Sequence, residues 1–244
     1  MFDDSEESGD ELFFSGDIDE QENMHDYSSD RISVANVKNI PQDIRSVAKQ
    51  SFVDYEIFKH HLISGDVSGV TNAIEQGIDI ETKLDNDWTA LMFASYHGSA
   101  DVVHILLENG TNPSTQIDGF TPLHAVTSNF ELEAEYVDAI IFTLLSHGAN
   151  PNVSDRFKMT PLMFASREGR TGAVEKLIEA GAIVNALDFK NWTPLGWASY
   201  YGKGHTARSI LDHGADPLVV TIDGETAADL ARLKGHEEVR IHLL

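Results

Sequence analysis

From residue 58 onward the apolar positions gather into short helix-like runs, and each run stops at a glycine. Val102-Val103-His104-Ile105-Leu106-Leu107 precedes Gly110, and Ala173-Val174-Glu175-Lys176-Leu177-Ile178 precedes Gly181. Gly148 and Gly214 end two further runs. A glycine just past a helix suits the left-handed C′ position. Ahead of these runs stand openings that begin on threonine: Thr89 to Ala94 (Thr-Ala-Leu-Met-Phe-Ala), Thr121 to Val126 (Thr-Pro-Leu-His-Ala-Val), Thr160 to Ala165 (Thr-Pro-Leu-Met-Phe-Ala), Thr193 to Ala198 (Thr-Pro-Leu-Gly-Trp-Ala) and Thr226 to Ala231 (Thr-Ala-Ala-Asp-Leu-Ala). Threonine supplies an N-cap oxygen, and proline suits the first helical position, where its missing N–H costs nothing. Gly98, Gly169 and Gly202 then mark a turn between two helices.

The openings start 32, 39, 33 and 33 residues apart. A period near 33 with a Thr-Pro-Leu-His opening resembles the ankyrin repeat, a β-turn followed by two antiparallel helices. The expected fold is all-α, an ankyrin-repeat solenoid of about six repeats over 39–244, preceded by a disordered acidic arm over 1–38. The expected repeats are an N-terminal cap at 39–80, then 81–115, 116–153, 154–186, 187–219 and 220–244. In the cap, Leu62-Ile63-Ser64-Gly65-Asp66 supplies the inter-helix turn, Val70 and Ile74 supply the second apolar face, and a helix from Pro41 lengthens it. Terminal repeats are atypical because one side must face water. Six extra residues fall around Asn129 to Glu135, between the two helices of the second full repeat, where an insertion maps to an exposed face. The last repeat ends at Leu244 inside its second helix, so the natural chain is expected to continue.

Charge changes the picture mainly at the N-terminus. The net charge is −23, and residues 1–30 hold 12 carboxylates with no Lys or Arg. So acidic a segment, with few branched apolar residues, cannot bury enough surface to offset the entropy of ordering. Leu12, Phe13 and Phe14 interrupt the acids: either an apolar docking cluster or incidental aromatics in a solvated tail. The acidic start has no secretory signal pattern, which points to a cytoplasmic protein. No apolar run reaches the roughly 18 to 20 residues of a membrane span. The negative field disfavours direct nucleic-acid binding.

The chain has no cysteine, which removes disulfides, thiolate metal sites and thiol nucleophiles together. His-Glu-x-x-His, phosphate-loop, dinucleotide-loop and nucleophile-elbow patterns are all absent, so no enzyme activity, catalytic residue, metal or cofactor is expected. His124 sits in the opening motif, where histidine bonds to neighbouring loops, and is read as structural. Residues the repeat does not need are more informative. By the ankyrin resemblance, the residue before each opening Thr projects toward the concave face, as do the two residues before the inter-helix glycine. The first set is Trp88, Phe120, Met159, Trp192 and Glu225; the second includes Tyr96 and His97, Arg167 and Glu168, and Tyr200 and Tyr201. Phe157 and Phe189 lie at the turn tips. Such a row either binds a partner where apolar surface leaves water, or only packs adjacent hairpins together.

Between Asp155 and Arg208 eight basic residues face five acids, a local +3 against −26 for the rest of the chain. Arg156, Lys158, Arg167 and Lys190 therefore join the candidate groove, whose aromatic lining and basic centre suit an acidic, apolar peptide. Asp10-Glu11-Leu12-Phe13-Phe14 fits that description, so the arm itself is a candidate occupant until a partner displaces it.

Several of these features together resemble the germ-cell ankyrin, SAM and basic leucine zipper (GASZ) family. They are the acidic arm, Ile63-Ser64-Gly65-Asp66-Val67, Trp88 to Ala94, the expanded second repeat, and Met159 to Gly169. Met92 and Met163, where most ankyrin repeats carry histidine, add to the likeness. The resemblance implies a germ-granule scaffold at the mitochondrial outer surface, serving piRNA biogenesis and transposon silencing. It implies that the ankyrin part recruits a processing factor such as an RNA helicase of the Armitage type, and that the SAM domain, zipper and membrane anchor lie beyond Leu244. The alternative is a general ankyrin adaptor, such as a ubiquitin-ligase substrate receptor. If the arm occupies the groove, deleting residues 1–30 tightens partner binding. An unchanged affinity at physiological salt would remove that idea.

Overall fold

The computed structural model describes residues 54–242; the acidic arm at 1–38 and the start of the helix expected from Pro41 lie outside the described residues. Twelve α-helices and no strand occur among the described residues, as expected for the solenoid. They come in antiparallel pairs. Residues 54–64 form α1, which turns at Gly65 into α2 (Val67–Glu75). Then follow α3 (Ala90–Tyr96) with α4 (Ala100–Glu108), α5 (Pro122–Ser128) with α6 (Ala134–Ser146), α7 (Pro161–Glu168) with α8 (Thr171–Glu179), α9 (Pro194–Tyr200) with α10 (Gly204–Asp212), and α11 (Ala227–Leu233) with α12 (Glu237–His242).

Each inner helix begins where its threonine can cap it. The hydroxyls of Thr89, Thr121, Thr160, Thr193 and Thr226 accept from the N–H groups of Met92, His124, Met163, Gly196 and Asp229. Each satisfies one of the four donors left orphaned at a helix start. Pro122, Pro161 and Pro194 fill the first turn. The outer helices stop at Gly110, Gly148, Gly181 and Gly214, all with φ between 86° and 89°, in the left-handed region that favours glycine.

Burial follows a fixed count from those glycines. The residues eight, seven and four places before each closing glycine are buried: Val102, Val103 and Leu106; Ile140, Ile141 and Leu144; Ala173, Val174 and Leu177; Thr206, Ala207 and Ile210. This spacing is one face of a helix. The insertion keeps it. Five residues separate α5 from α6, against three between α3 and α4, and α6 has 13 residues where α4 has nine. Two inserted residues thus lengthen the turn and four lengthen the helix. The added turn contributes Val137 to the same core. Asn129, at the head of the inserted segment, donates from Nδ2 to the Tyr96 carbonyl at 2.7 Å, and its own carbonyl accepts from Arg170.

Inner helices pack on inner helices of the next repeat, and outer on outer, so one core runs from Phe58 to Val239. Polar ties set the register between loops. Asn152 Oδ1 accepts from Ile183 N–H at 2.8 Å while its Nδ2 donates to the Gly181 carbonyl. Asn185 repeats the pattern on Asp216 and Gly214 one repeat later. Ser114 and Glu81 do the same work upstream, accepting from the N–H groups of Asn150 and Asn112.

His124, fully buried, is the polar centre of the second repeat. Its Nδ1 accepts from Thr121 N–H at 3.1 Å, so the proton sits on Nε2, which donates to the Met159 carbonyl of the following repeat at 3.1 Å. Burial pushes its pKa down to about 4, partly offset by the bond to Met159. The structural reading of this residue agrees with these contacts.

Leu162 is fully buried, so Leu162→Ala costs about 2 to 5 kcal/mol, whereas Phe142→Ala, at a side chain 66% exposed, changes stability by less than about 0.5 kcal/mol. Denaturant unfolding checks both, and equal effects would contradict the assigned faces. For His124, the unfolded imidazole takes a proton near pH 6.5 and the folded one only near 4. Stability therefore falls as pH drops through that window, by roughly 2 to 3 kcal/mol between pH 7.5 and 4.5. Urea titrations at the two pH values are expected to show this loss reduced in His124→Gln; an identical loss would exclude His124 as its source.

Candidate functional site

The turn tips ahead of α7, α9 and α11 are each built around one side-chain acceptor, half-buried at Asp155 and buried at Asp188 and Thr221. Asp155 Oδ1 accepts from Phe157 and Met159 N–H, both at 2.8 Å. Asp188 Oδ1 accepts from Lys190 and Trp192 N–H at the same distance, and its Oδ2 accepts from Trp197 Nε1 at 3.2 Å. In the last repeat the Thr221 hydroxyl replaces the carboxylate, accepting from Asp223 and Glu225 N–H. Burial raises both aspartate pKa values, opposed by these same N–H donors. Lys158 and Asn191 take φ near 60° at the tips, an uncommon conformation that the aspartate bonds hold in place. Adjacent tips are tied through backbone: Phe189 N–H donates to the Phe157 carbonyl at 3.1 Å, and Ile222 N–H to the Lys190 carbonyl at 3.0 Å.

This scaffold gathers the candidate aromatics into three groups. Trp88 stacks on Phe120 with ring centroids 5.7 Å apart and meets Tyr96 edge-on at 5.5 Å. Trp192 packs on Tyr200 at 4.9 Å, and Tyr200 on Tyr201 at 5.2 Å. Phe157 and Phe189 face each other at 5.9 Å on neighbouring tips. Except for Phe189, which is 50% exposed, these side chains are half-buried. Met159 differs: it is only 7% exposed, in a buried cluster with Met163, Phe164 and Trp197, so its share in the row is to support the rings above it. Phe120, Phe157, Trp192 and Tyr201 pack against that cluster, which joins the three groups underneath.

Cations lie over several ring faces. Arg156 is 4.8 Å from the Phe157 centroid, Arg167 is 5.1 Å from Phe164, and Lys190 is 5.6 Å from Phe189. Arg167 is also paired with Glu168 at 2.7 Å, which offsets part of its charge. Lys158 is exposed at its tip. Burial, aided by the nearby Glu131 charge, raises the Tyr96 phenol, and burial lowers the His97 imidazole, so both are neutral near pH 7. The arrangement can offer apolar rings and positive charge together.

Four further side chains join the row from positions outside the slots named above. Phe93, Phe164 and Trp197 stand four places after their opening threonines, each in ring contact with a member of the row. The aromatic at that motif position in three repeats, against Ala125 and Leu230 in two others, was the available signal. Lys234, whose Nζ is 4.6 Å from the Tyr200 centroid, comes from the next repeat and had no signal in the sequence.

No helix among the described residues is long and apolar enough to cross a membrane. A family model for ankyrin repeats (three copies) matches residues 54–141 and 133–221, well over half the chain. Among curated proteins, the chain is similar to ankyrin repeat, SAM and basic leucine zipper domain-containing protein 1. It is 40% identical to that of Notamacropus eugenii over 119 residues, 49% of this chain and 25% of the relative. It is 38% identical to the Mus musculus protein over 119 residues, with the same coverage. The Dasypus novemcinctus protein is 36% identical over 127 residues, 52% of this chain and 26% of the relative. The chain thus matches about a quarter of the length of these relatives. The capped hairpins, the closing glycines and the match to the family model agree: this chain belongs to the ankyrin-repeat family, whose fold serves protein–protein interaction.

Proposed function

We propose that this chain is a non-enzymatic scaffold whose concave groove holds an acidic, apolar peptide segment of a partner protein. The observation that carries this reading is the row of half-buried rings with Arg156, Arg167 and Lys190 over ring faces, in a chain whose net charge is −23. Half-exposed aromatics that are already packed lose little freedom on binding and have apolar faces to remove from water. The surrounding cations select for acid and favour its approach.

The biological setting we propose is the germ granule at the mitochondrial outer surface. There the scaffold recruits a piRNA-processing factor, such as an RNA helicase, for transposon silencing. Support comes from the similarity to the ankyrin, SAM and basic leucine zipper proteins, at 36–40% identity. Because that similarity covers about a quarter of those proteins, a general ankyrin adaptor, such as a ubiquitin-ligase substrate receptor, is the second reading.

Affinity capture from germ cells tests both, with residues 1–244 as bait beside a Trp88→Ala, Trp192→Ala double variant of matched thermal stability. Each truncation is expected to cost about 2 kcal/mol of binding or more, as for buried interface aromatics. Recovery of piRNA factors with the wild type alone supports groove and setting together. Recovery with both baits removes the groove, and recovery with neither favours the general adaptor.

A further inference from the structure

The outer-helix side carries a cluster that the aromatic row does not use. His104 and Glu108 are four residues apart on α4, hence on one face. His147 caps α6 in the next repeat, and its ring lies 6.1 Å from that of His104. One ligand atom from each of the three side chains falls within 4.8 Å of the others. Three potential ligands from two repeats thus converge at the surface, with His104 and Glu108 exposed and His147 half-buried.

The hydrogen bonds of His147 fix what its ring presents there. Its Nδ1 lies 2.9 Å from the Thr143 carbonyl, which only accepts, so Nδ1 carries a proton. Ser146 Oγ lies 3.3 Å from the same nitrogen and itself donates to the Thr143 carbonyl. In the neutral ring Nε2 is then a bare lone pair, and it points at Glu108 Oε1 from 3.3 Å. A lone pair facing a carboxylate oxygen needs a cation to join them: either a second proton on the ring or a metal ion. An Nδ1–H held by a backbone carbonyl is also the outer-shell contact that orients metal-binding histidines.

We propose that His104, Glu108 and His147 form a binding site for a divalent transition-metal ion, with Zn²⁺ the ion that fits the donors. Two imidazoles and a carboxylate suit zinc and disfavour Mg²⁺ or Ca²⁺, which take mainly oxygen ligands. Three protein ligands leave the fourth tetrahedral position open toward solvent, for a water or a donor from a bound partner. The ion joins the outer helices of two successive repeats at a place where the core has no covalent tie, so binding stabilises that interface in proportion to metal occupancy.

Isothermal titration of chelator-treated protein with ZnCl₂ tests the site, with MgCl₂ as the hard-cation control and His60→Ala/His205→Ala as the control for exposed histidines elsewhere. The expected result is saturable one-to-one Zn²⁺ binding that survives the control substitutions. His104→Ala and His147→Ala are each expected to weaken it at least about 10-fold, the lower limit for losing even an outer-shell partner. Glu108→Gln is a second route, since it alters no buried side chain. Co²⁺ substitution is expected to give the visible absorption of a tetrahedral ion in the wild type and to lose it in these variants. Absence of saturable binding, or binding equal in wild type and all three variants, overturns the proposal and leaves a protonated His147–Glu108 pair.

Discussion

None of the described hairpins can bury its own apolar face. In the repeats opening on Thr89, Thr160 and Thr193, seven or eight residues of inner helix and nine of outer helix make a layer one helix thick, and its two broad sides are covered only by the repeats before and after it. Every other feature depends on that stacking. The core from Phe58 to Val239 exists only as a sum of interfaces, and the polar ties of Asn152, Asn185, Ser114 and Glu81 act by holding each interface in one register. Stability in such arrays is the sum of weak layers and stronger contacts between them.

The aromatic row inherits its order from the same source. Trp88 and Phe120 stack because their turn tips stand one repeat apart, and Phe157 meets Phe189 because a backbone hydrogen bond joins their tips directly. Asp155 and Asp188 fix each tip from inside, so the ring positions are set by main chain before any side chain chooses a rotamer. His124 completes the arrangement from below. Its imidazole links the opening of one repeat to the Met159 carbonyl of the next, beneath the ring of Phe120.

Much of this was legible in the sequence because it is local. A threonine cap reads its own helix three residues on, and a closing glycine is required by the backbone angle of its own position. The boundaries of Thr121, Gly148 and Gly181 could therefore be placed from spacing alone. Exposure could not, because it is decided by residues about 33 positions away. Met159 and Trp88 occupy the same slot before an opening threonine, yet Met159 is covered by Phe164, Trp197 and their neighbours while Trp88 keeps a half-open face. Lys234 over Tyr200 is the same kind of fact, a contact between repeats with no local cause. The cluster of His104, Glu108 and His147 also went unread for this reason, since its third member is a full repeat away.

The insertion in α6 has a geometric consequence. Four added residues are close to one turn of 3.6, so they advance the helix by about 6 Å while rotating its buried stripe by only about 40°. Val137 therefore enters the core above Ile141 as though the pattern had been copied once more. Helix length and helix phase are separable variables in this architecture: a wall can grow by whole turns without disturbing the layers on either side. An added length of two residues would have started the helix about 200° out of phase, with its first turn facing solvent. Of six residues available, the fold spends as helix the number that preserves phase and leaves the remainder to the turn, where phase has no meaning.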